Sequence, residues 1–101
     1  MAEKDAKQEV KVGFPEGLKG GVYSNLMSVT HTKEEFVLDF MMVVPPTGSV
    51  TARVILSPSH LKRMISALVQ NMTKYEEQFG RVTAAEEPPK PTIGFHPPSS
   101  Q

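Results

Sequence analysis

The chain lacks cysteine, an excess of charge of either sign, and a long apolar run. Without cysteine it has no disulfide, thiolate metal ligand or thiol nucleophile, a composition that fits the reducing cytoplasm, where we expect the protein to act. Lys plus Arg and Asp plus Glu are both 11, so the formal net charge is zero. That balance disfavours nucleic acid and anionic membranes as partners, since both select for basic residues.

No segment predicts a membrane span or a leader. The longest apolar run, Phe40 to Val44, is too short to cross a bilayer. The first twelve residues carry mixed charges and no apolar core of the kind a signal peptide has.

The length allows one domain, flanked by two polar segments. Residues 1–7 have mixed charges, and residues 83–101 are rich in proline, which removes backbone donors. We expect both segments to be disordered, with residues 8–82 as the single folding unit. The tail stretch "PKPTIGFHPP" is either an inert linker or a docking segment for a partner.

Alternating apolar and polar residues predict strands in the first half of the folding unit. In "QEVKVGFP" the residues Val10, Val12 and Phe14 share one side, which predicts a half-buried strand ending at Pro15. Further strands are predicted at residues 22–30, 35–44 and 50–56.

The strand at residues 35–44 is apolar on both sides. One face carries Phe36, Leu38, Phe40, Met42 and Val44, and the other carries Val37, Met41 and Val43 together with Asp39. One helix covers only one face of a sheet, so the other face needs a second cover. A second copy of the chain is the economical source, and we therefore expect a homodimer or a higher even oligomer.

The periodicity changes after this strand region and predicts one long helix. Ser57 is placed to cap its N-terminus, Pro58 suits the first turn and Gly80 suits the position past its end. The helix has a seam with spacings of four, three, four, three and four residues: Leu61, Ile65, Leu68, Met72, Tyr75 and Phe79. Such a seam packs either on the sheet or on a partner helix. The expected fold is thus α+β: an antiparallel sheet of three or four strands followed by one long amphipathic helix packed on it.

Charges on this helix run against its dipole. Lys62 and Arg63 lie near the N-terminus and Glu76 and Glu77 near the C-terminus, where the dipole favours the opposite signs. Either pairing with another chain selected these charges, or exposed charges are only loosely constrained.

A cluster of titratable residues, His31 to Asp39, invites comparison with a metal site. If residues 32–35 form the turn, His31 lies opposite residue 36, and a rise of about 3.3 Å per residue keeps it away from Asp39. We therefore expect no metal, no cofactor and no catalytic group there.

Five residues are candidates for an interaction surface or groove: Tyr23, Asn25, His31, Asp39 and Arg53. Asp39 shares its face with apolar residues and must be paired, hydrogen-bonded or neutral, and Arg53 on the next strand is its natural partner. That pair is either structural or part of a groove or interface. Tyr23 and Asn25 have polar tips that bind a ligand or satisfy a neighbouring backbone.

Two blocks carry a resemblance to a known family. "VYSNLMSVTHTKEEFVLDF" fits Y-x-N-x-x-x-V-x-H-T-x-x-E-F-x-x-D-F, and "ARVILSPSHLKRMISALVQNMTKYEEQFG" fits a pattern with S-P-x-H-x-K-R and Y-E-x-x-F-G. Together they resemble a family of small prokaryotic proteins known only as a domain of unknown function. The resemblance covers residues 8–82 and implies no activity. The order of strands and helix is also similar to the layout of the SecB export chaperone subunit.

These observations favour a small oligomeric interaction module without catalytic activity. One alternative is a chaperone-like or peptide-binding protein with an apolar groove in which methionines adapt to the bound segment. The other is an enzyme of unknown class, which a pocket enclosing Tyr23, His31 or Asp39 would favour.

Overall fold

A three-stranded antiparallel sheet followed by one helix makes up the computed structural model, which describes residues 8–86. The elements are β1 (Leu26–His31), β2 (Phe36–Val44), β3 (Thr47–Leu56) and α1 (Pro58–Phe79), with strand order β1-β2-β3. The predicted α+β class is confirmed. The predicted disorder of residues 1–7, and of all but residues 83–86 of the tail, falls outside the described residues.

The strand predicted between Val10 and Phe14 is wrong. Residues 8–15 form no strand, and Val10, Val12 and Phe14 are at least 66% exposed. An alternating sequence becomes a strand only when its backbone pairs with a neighbour, and within residues 8–86 only β1, β2 and β3 pair. A short 3-10 turn, Glu16–Leu18, follows instead.

Two tight connections set the register of the sheet. His31 pairs with Phe36, so residues 32–35 form the predicted turn between β1 and β2. Val44 pairs with Thr47, which leaves only Pro45 and Pro46 in the second turn. β3 therefore begins three residues before its predicted start at residue 50, because the turn closes at the prolines themselves.

β3 contains a bulge at Thr51. Phe40 faces Ala52 while Met41 faces Val50, so Thr51 has no partner on β2. Its hydroxyl donates to the Phe40 carbonyl at 3.2 Å. An inserted residue shifts the alternation by one position, and Val50 therefore shares a face with Arg53 although they are three residues apart.

Paired residues of an antiparallel sheet point to the same side, which defines two faces. The first face carries Met27, Val29, His31, Phe36, Leu38, Phe40, Met42, Ala52, Val54 and Leu56. The second face carries Leu26, Ser28, Thr30, Val37, Asp39, Met41, Val43, Val50, Arg53 and Ile55.

The buried core is small and centred on β2. Its buried apolar residues are Leu38, Met41 and Leu56. Leu38 belongs to the first face and Met41 to the second, so each face of β2 contributes to the core. Toward the edges both faces carry exposed apolar side chains: Val29 and Val54 on the first face, and Val50 and Ile55 on the second.

Helix α1 begins and ends as predicted. The His60 N–H donates to the Ser57 hydroxyl at 3.2 Å, and Gly80 follows the last turn with φ 102°.

The chain divides into two compact units, the first ending at Met64 and the second beginning at Ile65, so the sheet and most of the helix belong to different units. No residue of α1 is buried.

Candidate functional site

The ion pair between Asp39 and Arg53 is the most strongly connected polar group of the sheet. The two residues are direct partners across β2 and β3. Arg53 Nε donates to Asp39 Oδ1 at 2.6 Å and Nη2 donates to Oδ2 at 3.0 Å, a bidentate geometry. Asp39 is only 6% exposed, and a carboxylate so placed requires a partner. The predicted cross-strand pair is present.

This contact keeps both groups charged. The hydrogen bonds from Arg53 lower the pKa of Asp39, partial loss of hydration opposes them, and the positive charge of Arg53 lowers it further. The same hydrogen bonds raise the pKa of Arg53. A general acid or base needs a pKa near the working pH, and these shifts lead away from it. The pair therefore suits structural and recognition roles.

Apolar side chains surround the pair on the second face. Val37 and Met41 flank Asp39 along β2, and Ile55 flanks Arg53 along β3. Ile55 is 54% exposed, and the Arg53 side chain is 63% exposed. The accessible part of this face thus combines a fixed positive charge with apolar surface, a combination common in protein interfaces.

Asn25 extends the pairing of β1 with β2 by one step. Its Nδ2 donates to the Val43 carbonyl, and its Oδ1 accepts the Val43 N–H, both at 2.9 Å. Its own N–H donates to the Met41 carbonyl at 3.0 Å. The side-chain amide makes the two hydrogen bonds that a backbone peptide group would make. Of the two roles considered for Asn25, satisfying a neighbouring backbone is therefore the one that its contacts fit.

Tyr23 lies apart from these contacts. Its side chain is 79% exposed. Its carbonyl lies 3.5 Å from the Thr51 hydroxyl, farther than the Phe40 carbonyl at 3.2 Å. One hydroxyl has one proton, and the nearer acceptor takes the better hydrogen bond. Tyr23 therefore presents an exposed aromatic side chain beside the sheet.

His31 lies on the first face, next to Phe36. Their ring centroids are 5.1 Å apart with an interplanar angle of 34°. The turn that follows is organised by Thr32, whose hydroxyl accepts the N–H groups of Glu34 and Glu35 at 3.1 and 3.2 Å. Glu34 and Glu35 are exposed. The glutamates are thus residues of a solvated turn, as the spacing predicted.

The five candidate residues do not converge on one point. Asp39 and Arg53 point from the second face, His31 points from the first, and Asn25 pairs within the sheet. In the part of the chain that the structure describes, no group of three or more His, Asp or Glu side chains could hold a metal ion. What the sheet offers is surface on two faces.

Two threonines have roles that sequence reasoning missed. Thr32 had a signal, because a hydroxyl residue at the start of a short polar stretch commonly caps the turn. Thr51 had no such signal, because a bulge depends on which residues the partner strand presents.

The helices described between residues 8 and 86 include none with the length and apolar character that a membrane span requires.

Comparison with known families gives one match. A family model described as a protein of unknown function (DUF3467) matches residues 1–84. This agrees with the resemblance drawn from the two sequence blocks. Comparisons with curated proteins and with solved structures found no match.

Proposed function

Since the chain belongs to DUF3467, a family of proteins of unknown function, we propose from its surfaces that it is a self-associating interaction module without catalytic activity. The observation that supports this most is the distribution of apolar side chains. Among the residues described, Leu38, Met41 and Leu56 are the only buried apolar ones, whereas large apolar side chains are exposed on both sheet faces and along α1.

Exposed apolar surface on this scale favours association. Monomeric soluble proteins rarely present extended apolar patches, and burial contributes about 25 cal/mol per Å² of apolar surface. Val29 and Val54 stand on either side of buried Leu38 on the first face. Ile55 and Val50 border Arg53 on the second face. A second copy of the chain supplies surface of matching character, and a homodimer is the simplest closed assembly.

The polar residues support the non-catalytic part of the proposal. Asp39 and Arg53 are engaged with each other, and both polar atoms of the Asn25 amide are engaged with Val43. Groups held in this way stabilise the sheet.

The cytoplasmic location, and the exclusion of nucleic acid and membranes as partners, stay predictions from composition and charge.

Molecular mass in solution tests the proposal directly. Light scattering coupled to size-exclusion chromatography, run on the full chain over a hundredfold range of concentration, should give twice the 11.1 kDa of one chain, or a higher even multiple. Dilution should shift the population toward monomer. A mass of one chain at every concentration would contradict the proposal.

A peptide-binding, chaperone-like role is the second candidate, and the exposed methionines favour it. Met27 on the first face is 46% exposed and Met72 on α1 is 48% exposed. Methionine side chains adapt to varied apolar partners. The two functions differ in what remains exposed after assembly: a hydrophobic dye should bind the oligomer strongly if a groove stays open, and weakly if self-association covers the apolar surface.

A further inference from the structure

The seam of α1 and the charges beside it fit together when the helix is matched with a second copy of itself. In a two-stranded coiled coil, apolar residues at positions a and d of a seven-residue repeat form the contact, and positions e and g flank it. With Ile65, Met72 and Phe79 at position a, the residues Leu61, Leu68 and Tyr75 fall at position d. All six therefore belong to one continuous seam.

Five of the six seam residues are exposed in the single chain, and Leu61 is half-buried. Leu68 is 60% exposed and Phe79 is 66% exposed, and no residue of α1 is buried. From Leu61 to Phe79 the seam spans about 27 Å at 1.5 Å per residue. That length provides six contact layers with a partner helix.

We infer that α1 pairs with α1 of a second copy in antiparallel orientation, through the seam from Leu61 to Phe79. This rests on the proposed self-association and specifies its surface. An antiparallel pair matches each a position with a d position of the partner, so Ile65 meets Tyr75, Leu68 meets Met72, and Leu61 meets Phe79. Every layer then joins two seam residues, and the pair is symmetric about residue 70.

Side-chain size supports the antiparallel arrangement. Tyr75 and Phe79 concentrate the aromatic bulk at the C-terminal end, with ring centroids 4.9 Å apart. Antiparallel pairing sets this end against the aliphatic residues Leu61 and Ile65 of the other copy. Parallel pairing would stack aromatic on aromatic at one end, and cores pack best when large and small side chains alternate across the contact.

Charge supports it independently. In an antiparallel pair, e positions face e positions, which places Lys62 of one copy opposite Glu76 of the other, twice by symmetry. In a parallel pair, e positions face g positions, which here are Met64, Asn71 and Gln78, and no ion pair forms. The placement of Lys62 and Glu76 against the helix dipole thereby acquires a reason.

Both side chains are available for this contact. Lys62 is exposed, and it has no ion pair with any residue from 8 to 86. The Oε2 atom of Glu76 accepts the Val82 N–H at 2.9 Å, which holds the carboxylate at the helix end and leaves Oε1 for Lys62. Arg63 and Glu77 occupy position f, away from the contact, and Arg63 Nη2 lies 3.1 Å from His60 Nδ1.

Charge reversal tests the pairing, with a matched control in the same helix. Lys62→Glu and Glu76→Lys should each weaken the dimer roughly tenfold, since two attractive contacts become repulsive. The double variant should restore the wild-type dissociation constant. Arg63→Glu and Glu77→Lys make the same charge changes at position f and should leave the constant unchanged. Sedimentation velocity measures all of these, and circular dichroism confirms that each variant keeps its helix.

Distances between copies test the orientation. The cysteine-free chain accepts single nitroxide labels at Arg63→Cys, Gln70→Cys and Glu77→Cys, all at position f. Antiparallel helices separate the two Arg63 labels, and equally the two Glu77 labels, by about 21 Å along the axis, with no axial separation at Gln70. Pulsed electron resonance should therefore give the shortest distance at Gln70.

The outcomes separate this inference from the proposed function. Equal distances at the three positions, or no restoration in the Lys62→Glu, Glu76→Lys double variant, would overturn antiparallel pairing and leave self-association intact. A monomeric wild-type chain would overturn both.

Discussion

Strand β2 and helix α1 carry the two most regular apolar patterns in the sequence, and they differ in what covers them. Of the four residues that are buried between positions 8 and 86, β2 holds three, Leu38, Asp39 and Met41, because this central strand pairs with neighbours on both sides. α1 holds none. A helix makes its backbone hydrogen bonds internally, so it can form with its apolar side exposed. A strand forms only when its backbone pairs with another strand. The exposed seam of α1 therefore indicates that this side of the helix contacts a partner.

The largest effect should come from emptying the core beside β2. Leu38→Ala removes a side chain that is 2% exposed and should lower the free energy of unfolding by about 2–5 kcal/mol. Leu18→Ala is the matched control, because Leu18 is 61% exposed outside the sheet and should change stability by less than about 0.5 kcal/mol. Urea unfolding followed by circular dichroism measures both. Similar losses for the two would mean that Leu38 is not in the core.

The same truncation in the helix should act on association. Leu68→Ala should raise the dissociation constant of the dimer about five- to thirtyfold, since losing a central interface side chain costs about 1–2 kcal/mol. Gln70→Ala, on the far side of the helix, should leave the constant unchanged. Sedimentation velocity distinguishes the two variants. An unchanged constant for Leu68→Ala would show that the seam is not the contact.

Removing the Asn25 side chain should have a moderate effect on the sheet. Asn25→Ala loses two hydrogen bonds to the Val43 backbone and should cost about 1–2 kcal/mol of unfolding free energy. Ser24→Ala removes only one local hydrogen bond, from its hydroxyl to the Leu26 carbonyl, and should cost less. Hydrogen exchange at the Val43 amide should accelerate in Asn25→Ala alone. Unchanged exchange there would contradict the pairing role of Asn25.

The smallest effect should come from the ion pair, because water screens the exposed Arg53. The pKa of Asp39 is lowered from its model-compound value of 3.8, so its contribution to stability is present above that pH and is lost as pH falls through the lower folded value. Asp39→Asn should be less stable than wild type at pH 7, and the difference should shrink below pH 3.8. Urea titrations from pH 7 to pH 2.5 measure this. A difference that grew on acidification would contradict the assigned sign.

The sequence was sufficient where structure depends on local patterns. The caps of α1 at Ser57 and Gly80 and the turn after His31 follow from residue type and spacing, and the short connection between β2 and β3 brings Arg53 beside Asp39 as predicted. It was insufficient where structure depends on a distant strand. Val10, Val12 and Phe14 alternate as in a strand but have no paired neighbour in the described chain, and the Thr51 bulge follows from what β2 presents. Among the candidate residues, the amide contacts of Asn25 needed coordinates, because they depend on Val43 lying opposite.

The Thr51 bulge divides β3 into two segments whose alternation between the faces differs by one residue. From Leu56 back to Ala52 the even-numbered residues point to the first face, and before Thr51 it is Val50 that points to the second. Thr51 is the one residue of β3 between Thr47 and Leu56 that β2 does not match, so the bulge sets which face each residue between it and the Pro45–Pro46 turn occupies. Deleting Thr51 would remove the bulge and leave Val50 opposite Met41 on the face of Arg53, so each face would keep the apolar surface that it offers to a second copy.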